Sequence, residues 1–530
     1  MKKINYLFPL FFAIALAIGF YLGKKNTTPI FDEKAKSSGI DYNSKRKLFT
    51  VLKEIEENYV DSISDKELTD KTIEQLLANL DPHSVYIPYK KNNREEENLK
   101  GEFAGVGVKF IILNDTLHVT NVIENGPSYR AGLKNGDIVL QVDTTPVAGV
   151  NLKNEQVMSL LKGRPNTIVK VKLLRQGKEV TKTIKRGIIP IKSVTAAFML
   201  NKNTGYIRLV RFSETSAQEF FFASQKLLKQ GMTKLVFDLR GNGGGYLQIA
   251  EQISDEFLEG GKTIVYTKEK GGRKNYAYST NGGLLKDIKL AVLIDSESAS
   301  ASEIVAGALQ DNDRGTVFGR RSFGKGLVQK PVMLPDSSQF RITIARYYTP
   351  TGRSIQKPYE LGNSYDYMME LYDRDRNGEL FKVDSSMFAD SLKFMTEGGK
   401  AVYGGGGIMP DIFIPYDTVG YSMFYRKIAY SRILTEFSIN YLSNHRKKLA
   451  KKSLNFYLRN FKVTNAMFNE FVAFAKEREV TGTASEIAKS KERLSNRIKE
   501  EIASGIWDEE GREYINSRNN NDLKIVLENI

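Results

Sequence analysis

Between residues 204 and about 350, short apolar runs alternate with segments of helical periodicity. Each apolar run leads through a turn into a helix, an order typical of an α/β core with a largely parallel sheet. The predicted strands are "GYIRLVRF", "KLVFDLR", "LAVLID" and the later "FRITIARYY". The predicted helices lie in "AQEFFFASQKLLKQG", "YLQIAEQISDEFL" and "SESASASEIVAGALQD".

Residues 101–187 follow a different pattern, in which short β-rich runs are separated by turns. They predict a small β domain with one or two helices, one of them in "NEQVMSLLKG". Residues 24–100 predict a polar linker and an N-terminal helical region, and residues 416–530 are basic, polar and mostly helical. The α/β core then occupies residues 188–415, with a polar insertion at 360–402.

The N-terminus carries an apolar run from Ile4 to Gly23 with two lysines on each side. About 20 helical residues span about 30 Å, which is enough to cross a bilayer. A cleaved signal peptide opens in the same way but ends in a small-x-small site, and "FYLGKK" offers no good one. We expect residues 1–23 to be a signal-anchor, with a cleaved signal peptide as the alternative. The remaining chain would then be exported to the periplasm and tethered to the inner membrane.

The composition narrows the chemistry. The chain has 530 residues, a formal net charge of +16, no cysteine and three histidines. Without cysteine there are no disulfides, cysteine nucleophiles or thiolate metal sites. The basic residues are spread along the chain without a nucleic-acid module, so a solvated basic surface is favoured over nucleic-acid binding. A histidine base would have to be His83, His118 or His445, which all lie outside the predicted α/β core.

Ser300 stands where the strand "LAVLID" leads through a turn into a helix. Ser300-Ala301-Ser302-Glu303 fits a capping box, so one interpretation is a purely structural helix cap. The other is a nucleophile, because first-turn N–H groups and the helix dipole face any oxyanion formed there. Such a serine needs a base, and the chain has no G-x-S-x-G elbow.

Residues 319–326, "GRRSFGKG", fit the phosphate-loop pattern as far as Lys325, but Gly326 replaces the Ser or Thr that binds magnesium. A phosphate-loop nucleotide hydrolase therefore stays only as an alternative. A buried, glycine-rich setting lowers the pKa of a lysine and lets it act as a base. Gln329 lies four residues on, where its amide oxygen can accept a hydrogen bond from the lysine nitrogen.

The motifs "GVGV" and "GPSYRAGLKNGDIVLQVD" make residues 101–187 resemble a PDZ domain. In that family a glycine loop presents N–H groups to the terminal carboxylate of a peptide, which adds as a strand to the sheet edge. The alternative is that these glycines only form turns. The resemblance implies a peptide-binding loop formed by Gly105, Val106, Gly107 and Val108.

The segment "SASASEIVAGALQDNDRGTVFGRRSFGKGLVQ" resembles the active-site region of the carboxyl-terminal processing proteases, the tail-specific serine endopeptidases of family S41. Further matches follow the family order: "LDPHSVYIP", "FDLRGNGGG", "ARYYTPTGRSIQ" and "GIMPDI". The resemblance implies a crotonase/ClpP-like α/β protease core with an inserted PDZ domain and helical N- and C-terminal regions. It implies neither a metal nor another cofactor.

The resemblance also implies roles for particular residues. Ser300 would be the nucleophile, Lys325 the general base and Gln329 the residue that orients the lysine. The N–H groups of Ala301 and Gly241 would form the oxyanion hole. Glu303 and Asp311, within the same motif, would support the site. Taken together, these roles describe a serine endopeptidase without a histidine base.

Three features depart from the family pattern or lie outside it. Gly243 replaces a proline, and Lys162 replaces an arginine that couples the PDZ domain to the active site in relatives, although Arg164 is nearby. The insertion holds "DRDRNGELFKVD", which resembles a calcium loop with Asp384 in place of the closing glutamate. We favour an acidic turn over a calcium site there.

The expected function is cleavage of exported polypeptides whose apolar C-terminal tails are captured by the PDZ domain. The alternative is a membrane-tethered PDZ scaffold on an inactive protease core. Residues 416–530 match no recognised motif and are candidates for a homo-oligomer contact, a cage over the site or a dock for an adaptor protein.

Overall fold

A six-stranded sheet forms the centre of the α/β core in the computed structural model, which describes residues 42–383 and 390–530. Its first strand pair is antiparallel and the other pairs are parallel, which confirms the predicted parallel core. In spatial order the strands are Val194–Met199, Thr204–Leu209, Lys234–Asp238, Lys289–Ile294, Thr316–Gly319 and Ile412–Phe413. Their apolar runs are buried because helices cover both faces of a parallel sheet.

Three helices follow strands of this sheet: Ser216–Leu228, Leu247–Asp255 and Ala301–Asp311. They contribute to one apolar cluster together with the strands, and Phe220 and Phe237 form an aromatic contact within it. The helix Ala301–Asp311 is entirely buried. Because its first turn is enclosed in this core, the residue before it is held in a fixed position.

A second sheet, which is antiparallel, combines one strand that precedes the β domain with four strands of the core. Its strands are Val85–Ile87, Thr263–Glu269, Lys274–Tyr278, Leu327–Met333 and Gln339–Tyr348. The segment "FRITIARYY", predicted only as a further strand, is the central member of this sheet and pairs with three of the others. This sheet carries Gln329 opposite Thr343.

The β domain has its own apolar core, centred on Leu117, Val139 and Leu173. Its sheet consists of Val108–Leu113, Thr116–Val122, Ile138–Val142, Thr145–Pro146, Ile168–Arg175 and Lys178–Lys185. The strand that precedes this sheet in sequence, Glu102–Gly105, pairs with the strand that follows it, Gly187–Pro190. The helices are Pro127–Arg130 and the predicted Asn154–Leu161. The predicted β-rich character is confirmed by these strands.

The insertion at 360–402 contains ordered elements: helix Ser364–Arg376, the 3-10 turn Asp390–Leu392 and the hairpin Lys393–Met395 with Ala401–Tyr403. Asp373 and Asp375 of the calcium-like sequence lie in the last turn of this helix, and Glu379 pairs with Arg321. These carboxylates therefore do not surround a common point, as the ligands of a calcium loop do. Asp384, at the twelfth position, lies outside the described residues.

The C-terminal region consists of six helices, of which the first five share an apolar core. They are Met423–Ala429, Ile433–Leu449, Leu454–Asn460, Asn465–Lys476, Ala484–Asn516 and Asn521–Asn529. The long helix is interrupted at Trp507 and Asp508, where Asp508 has φ 55° and ψ −154°. The last helix buries Leu523 and Val526 against the second face of the six-stranded sheet.

The remaining helices are Tyr42–Asn58, Asp65–Ala78 and Tyr89–Lys100. The described part of the chain divides into two compact units, with the boundary between Thr72 and Ile73. Among the described residues, no helix is long and apolar enough to cross a bilayer. The proposed signal-anchor at residues 1–23 lies outside the described part and stays a prediction, as does the crotonase/ClpP-like assignment.

Candidate active site

Ser300 immediately precedes helix Ala301–Asp311 and has φ 56° and ψ −112°, a positive φ that is uncommon for a residue with a side chain. Gly244 makes room for this turn, because a Cβ there would lie 2.9 Å from Ser300 Cβ and 2.7 Å from the Ala299 carbonyl oxygen. Ser300 and Glu303 form the predicted capping box. The strained turn places the half-buried Ser300 at the helix N-terminus, where main-chain N–H groups lack intrahelical partners.

Glu303 holds two loops of the site together. Its side chain is fully buried, and Oε2 accepts from Ser300 N at 2.8 Å and from Lys325 N at 2.9 Å. Oε1 accepts from Gly324 N at 2.7 Å and from the Ser322 hydroxyl at 2.6 Å. Burial raises the pKa of Glu303 to about 7, although these hydrogen bonds favour its ionised form. One carboxylate oxygen therefore brings the main chains of Ser300 and Lys325 together.

Tyr347 makes a second link between the same two residues. Its buried hydroxyl lies 3.2 Å from the Ser300 carbonyl oxygen and within hydrogen-bond distance of the Lys325 carbonyl oxygen. Tyr347 N also donates to Gly326 O at 3.0 Å. Sequence analysis did not single out this tyrosine, although it lies in "ARYYTPTGRSIQ"; the available signal was an aromatic residue in a strand, which is ordinary for a core position.

Lys325 lies in residues 320–326, here called the lysine loop. Burial lowers the pKa of its amine, and the neighbouring Arg341 cation lowers it further. Three carboxylates oppose this effect, those of Glu303, Asp81 and Glu95. Because a lowered pKa increases the neutral fraction near pH 7, the amine is suited to accept a proton.

The lysine loop does not resemble a phosphate cradle. A phosphate loop points its main-chain N–H groups at the ligand. Here the N–H groups of Gly324 and Lys325 donate to Glu303, and Gly326 N donates to Gln356 Oε1 at 2.8 Å. A buried carboxylate occupies the position in which a phosphate loop holds its anion, so the loop geometry does not support nucleotide binding.

Gln329 lies in strand Leu327–Met333, and its side chain is the first member of a series of hydrogen-bonded side chains. Its Nε2 lies 3.3 Å from Thr343 Oγ1, which in turn lies 2.9 Å from Asp81 Oδ1. Within the described part of the chain, no hydrogen bond joins Lys325 Nζ to Ser300 Oγ or to Gln329. The main chains are brought together, and catalytic hydrogen bonds often tighten only when substrate binds.

The two predicted oxyanion donors differ in availability. Ala301 N is the first helical nitrogen, and no acceptor for it is present among residues 42–383 and 390–530. Gly241 N, in contrast, donates to Asp295 Oδ1 at 3.0 Å. The geometry therefore disagrees with Gly241 as a free donor. In the turn of residues 241–245 it is Gly244, not Gly241, that lies directly against Ser300.

Asp311 lies at the opposite end of the helix that begins after Ser300. Its Oδ1 pairs with the buried Arg353 at 2.6 Å, and Oδ2 accepts from the Thr351 hydroxyl at 2.7 Å. A rise of about 1.5 Å per residue separates it from the nucleophile position by several turns. Its support is therefore structural, because it ties the loop of residues 349–353 to the helix.

His83 is a residue whose placement the sequence analysis missed. It lies outside the predicted core in sequence, but its Nε2 is 3.0 Å from the Tyr367 hydroxyl. Burial, and then the positive charge of Lys325, lower the pKa of His83 to about 4. The imidazole is therefore neutral at pH 7, and it lies near enough to Lys325 for the charge of the amine to affect it. The "LDPHSVYIP" match contained the signal for this proximity.

The predicted peptide-binding loop, Gly105–Val108, leads into the strand Val108–Leu113. This strand is at the edge of its sheet, so one side of it is open to an added strand. Gly107 has φ 76°, which favours glycine, and Val106 is buried in the domain core. The arrangement has the form required for peptide addition, while the roles of the four residues stay predictions.

Lys162, at the position of the coupling arginine, pairs with Glu97 of helix Tyr89–Lys100 and lies 5.0 Å from the Phe103 ring centre. The guanidinium that contacts the end of helix Asn154–Leu161 belongs to Arg186, which donates to Leu160 O at 2.8 Å. Lys162 therefore joins the β domain to the preceding helix.

Comparisons with known proteins identify the family of this chain. Residues 203–367 match the model of peptidase family S41, and residues 104–185 match that of the PDZ domain. The carboxy-terminal-processing protease of Bartonella bacilliformis is 36% identical over 313 residues, covering 58% of this chain and 71% of that protein. This chain belongs to peptidase family S41. It is a serine-type peptidase core of the carboxy-terminal processing class, combined with a PDZ domain.

Other S41 relatives extend over a similar part of the chain. The carboxy-terminal processing protease CtpB of Bacillus subtilis is 33% identical over 308 residues, covering 57% of this chain and 64% of that protein. A solved structure of a photosystem II D1 C-terminal processing protease is 28% identical, with a TM-score of 0.34, and covers 58% of this chain and 83% of that one. Residues 424–508 match a family of unknown function, DUF8443.

Proposed function

We propose that this S41 peptidase cleaves exported polypeptides through a Ser300–Lys325 pair oriented by Gln329. The supporting observation is the shared Glu303 oxygen, which holds the Ser300 and Lys325 main chains together beside a buried amine of lowered pKa. A histidine is not needed as the base, because a neutral lysine can accept the serine proton.

The chemistry follows from the placement of these groups. Neutral Lys325 takes the Ser300 hydroxyl proton as the oxygen attacks a peptide carbonyl carbon. The Ala301 N–H, at the positive end of the helix dipole, stabilises the resulting oxyanion. The protonated lysine then gives its proton to the leaving amine, and water hydrolyses the acyl-enzyme. A second oxyanion donor from the turn of residues 241–245 requires a rearrangement if it is Gly241, which now donates to Asp295.

Substrate choice is proposed to depend on the PDZ domain. An apolar C-terminal tail would add to the open edge of strand Val108–Leu113, with its carboxylate at the Gly105–Val108 loop. The N-terminal apolar run supports export and tethering to the inner membrane. The alternative, a PDZ scaffold on an inactive core, predicts the same tail binding without cleavage.

The deciding experiment is Lys325→Ala, assayed with a fluorogenic peptide that ends in apolar residues. We expect kcat to fall by about 10³-fold or more while binding of the peptide tail is unchanged. Activity of the unmodified protein should rise with pH as Lys325 loses its proton. Lys330→Ala, an exposed lysine on the adjoining strand, is the matched control. Undiminished turnover in Lys325→Ala would exclude this mechanism, and tail binding without turnover in the unmodified protein would favour the scaffold.

A further inference from the structure

The turn Asp81–Ser84 is attached to the strand that faces Gln329. It leads into strand Val85–Ile87, which pairs with Gln339–Tyr348 so that Val85 lies opposite Arg341. Thr343 N of the same long strand donates to Ser84 Oγ at 3.1 Å. Asp81 is buried, with 7% of its surface exposed. The turn and Thr343 therefore have a fixed relative position.

The Asp81 carboxylate fixes the direction of the hydrogen bonds that run through Thr343 to Gln329, because a carboxylate only accepts. The Asp81 carboxylate accepts from Ser84 Oγ at 2.6 Å, His83 N at 3.0 Å and Thr343 Oγ1 at 2.9 Å. A threonine hydroxyl has a single hydrogen, so Thr343 donates it to Asp81 and has only lone pairs left for Gln329. Gln329 must then present its NH₂ group, which lies 3.3 Å from Thr343 Oγ1.

We propose that Asp81 is a positioning residue that acts through the Thr343 hydroxyl to fix the Gln329 amide, leaving its oxygen free to accept from Lys325. This inference depends on the proposed function, because it needs Lys325 as the base. Without the carboxylate, the hydroxyl could donate to the amide oxygen instead and the amide would reverse. In the reversed amide, an NH₂ group would face the neutral amine and could not hold its N–H.

The charges near the lysine are consistent with this placement of Asp81. The Asp81 carboxylate raises the pKa of Lys325, against the larger effects of burial and Arg341. Lys325 in turn lowers the pKa of His83. The carboxylates of Glu303 and Glu95 act on the lysine in the same direction as Asp81.

Thr343→Val tests the hydroxyl with an isosteric, β-branched side chain that suits a strand. We expect kcat to fall by about 10- to 100-fold with little change in KM, because the amide is misoriented while the substrate site is intact. Thr343→Ser, which keeps the hydroxyl, should recover most of the activity. Thr267→Val is the matched control: this half-buried threonine lies in the same sheet, and its hydroxyl has no hydrogen-bond partner among the described residues.

Asp81→Asn removes the carboxylate at the other end of this chain of hydrogen bonds, so it should lower kcat with little change in KM, as Thr343→Val does. Loss of its charge should lower the pKa of Lys325, so the acid limb of the kcat/KM profile moves to lower pH as kcat decreases. Thr343→Val should leave that limb in place. If Thr343→Val does not fold, the comparison of Asp81→Asn with Thr343→Ser decides the question.

A Thr343→Val turnover within about threefold of the unmodified protein would overturn the positioning role, as would an unchanged kcat in Asp81→Asn. Lys325→Ala separates this result from the proposed function. If Lys325→Ala is inactive and Thr343→Val is fully active, only the positioning role fails. If Lys325→Ala is active, the proposed function fails first.

Discussion

Glu303 is a buried acid that accepts four hydrogen bonds and still has a pKa raised to about 7 by burial. Its folded-state pKa therefore lies above the unfolded value near 4.5. The contribution of its protonation to stability is fully present below about pH 4.5 and is lost as the pH rises through about 7. As the pH rises to neutral, the Glu303 carboxyl that holds the Ser300 and Lys325 loops becomes ionised. The protein then loses the stability that protonation of this group provided.

Glu303→Gln should therefore weaken the site at both loops. An amide nitrogen cannot accept the hydrogen bonds that one carboxylate oxygen receives, so two donors lose their partner at a cost of about 1–3 kcal/mol each. We expect kcat to fall by about 10- to 100-fold and the free energy of unfolding to vary less between pH 4.5 and 7. Kinetics and chemical denaturation measure both effects. Glu297→Gln, an exposed change in the preceding turn, is the control; equal behaviour of the two variants would contradict the role of Glu303.

At the scale of an element, the insertion helix Ser364–Arg376 supports the lysine loop from outside. Arg374 donates to Ser322 O at 2.7 Å and to Phe323 O at 3.2 Å. Lys357 is buried beneath the helix, and its Nζ donates to Tyr367 O at 2.8 Å. A segment that sequence analysis treated as a polar insertion thus packs against the loop that carries Lys325.

Arg374→Ala tests this support. It would leave two loop carbonyls without a protein donor, so we expect a loss of about 1–3 kcal/mol in stability and a larger decrease in kcat than rise in KM. Arg376→Ala, with its side chain 74% exposed in the same helix, should change stability by no more than about 0.5 kcal/mol. Thermal unfolding and peptide hydrolysis are the measurements. Indistinguishable variants would show that the helix does not support the loop.

At the scale of the whole molecule, the C-terminal helices complete the protease core. Leu523 and Val526 of the last helix cover the second face of the six-stranded sheet. Asp522 of the same helix pairs with Arg240 at 2.7 Å and with Arg320 at 3.3 Å. Arg240 directly precedes the glycine turn of residues 241–245, so a residue 282 positions away in sequence helps to hold that turn.

Asp522→Asn should destabilise the protein, because Arg240 and Arg320 would keep buried charges with one carboxylate fewer. Removing one partner of a buried pair costs about 3–5 kcal/mol, and the remaining Asp238 contact at 2.6 Å should reduce this to about 1–3 kcal/mol. Glu528→Gln, exposed on the same helix, is the control. Denaturant unfolding of both variants measures the difference; equal midpoints would mean that the ion cluster does not stabilise the core.

Much of the local structure could be predicted from the sequence. The strand–helix order of the core, the capping box at Ser300 and the β-rich region around Gly105–Val108 depend on spacings of a few residues, so periodicity and turn chemistry encode them. Ser300, Lys325 and Gln329 could be named from motif order. The availability of Gly241 could not, because the carboxylate that occupies its N–H belongs to Asp295 in another strand's loop.

By itself, the sequence determined the elements and the chemical types at the site, since these follow from neighbours along the chain. Only the tertiary structure decided that Glu303 would join two loops, that Asp81 would reach Thr343 across 262 positions, and that Asp522 would reach Arg240 across 282. Such pairs depend on sheet register and on which faces are covered. No local pattern specifies these, because burial brings residues together irrespective of their separation in sequence.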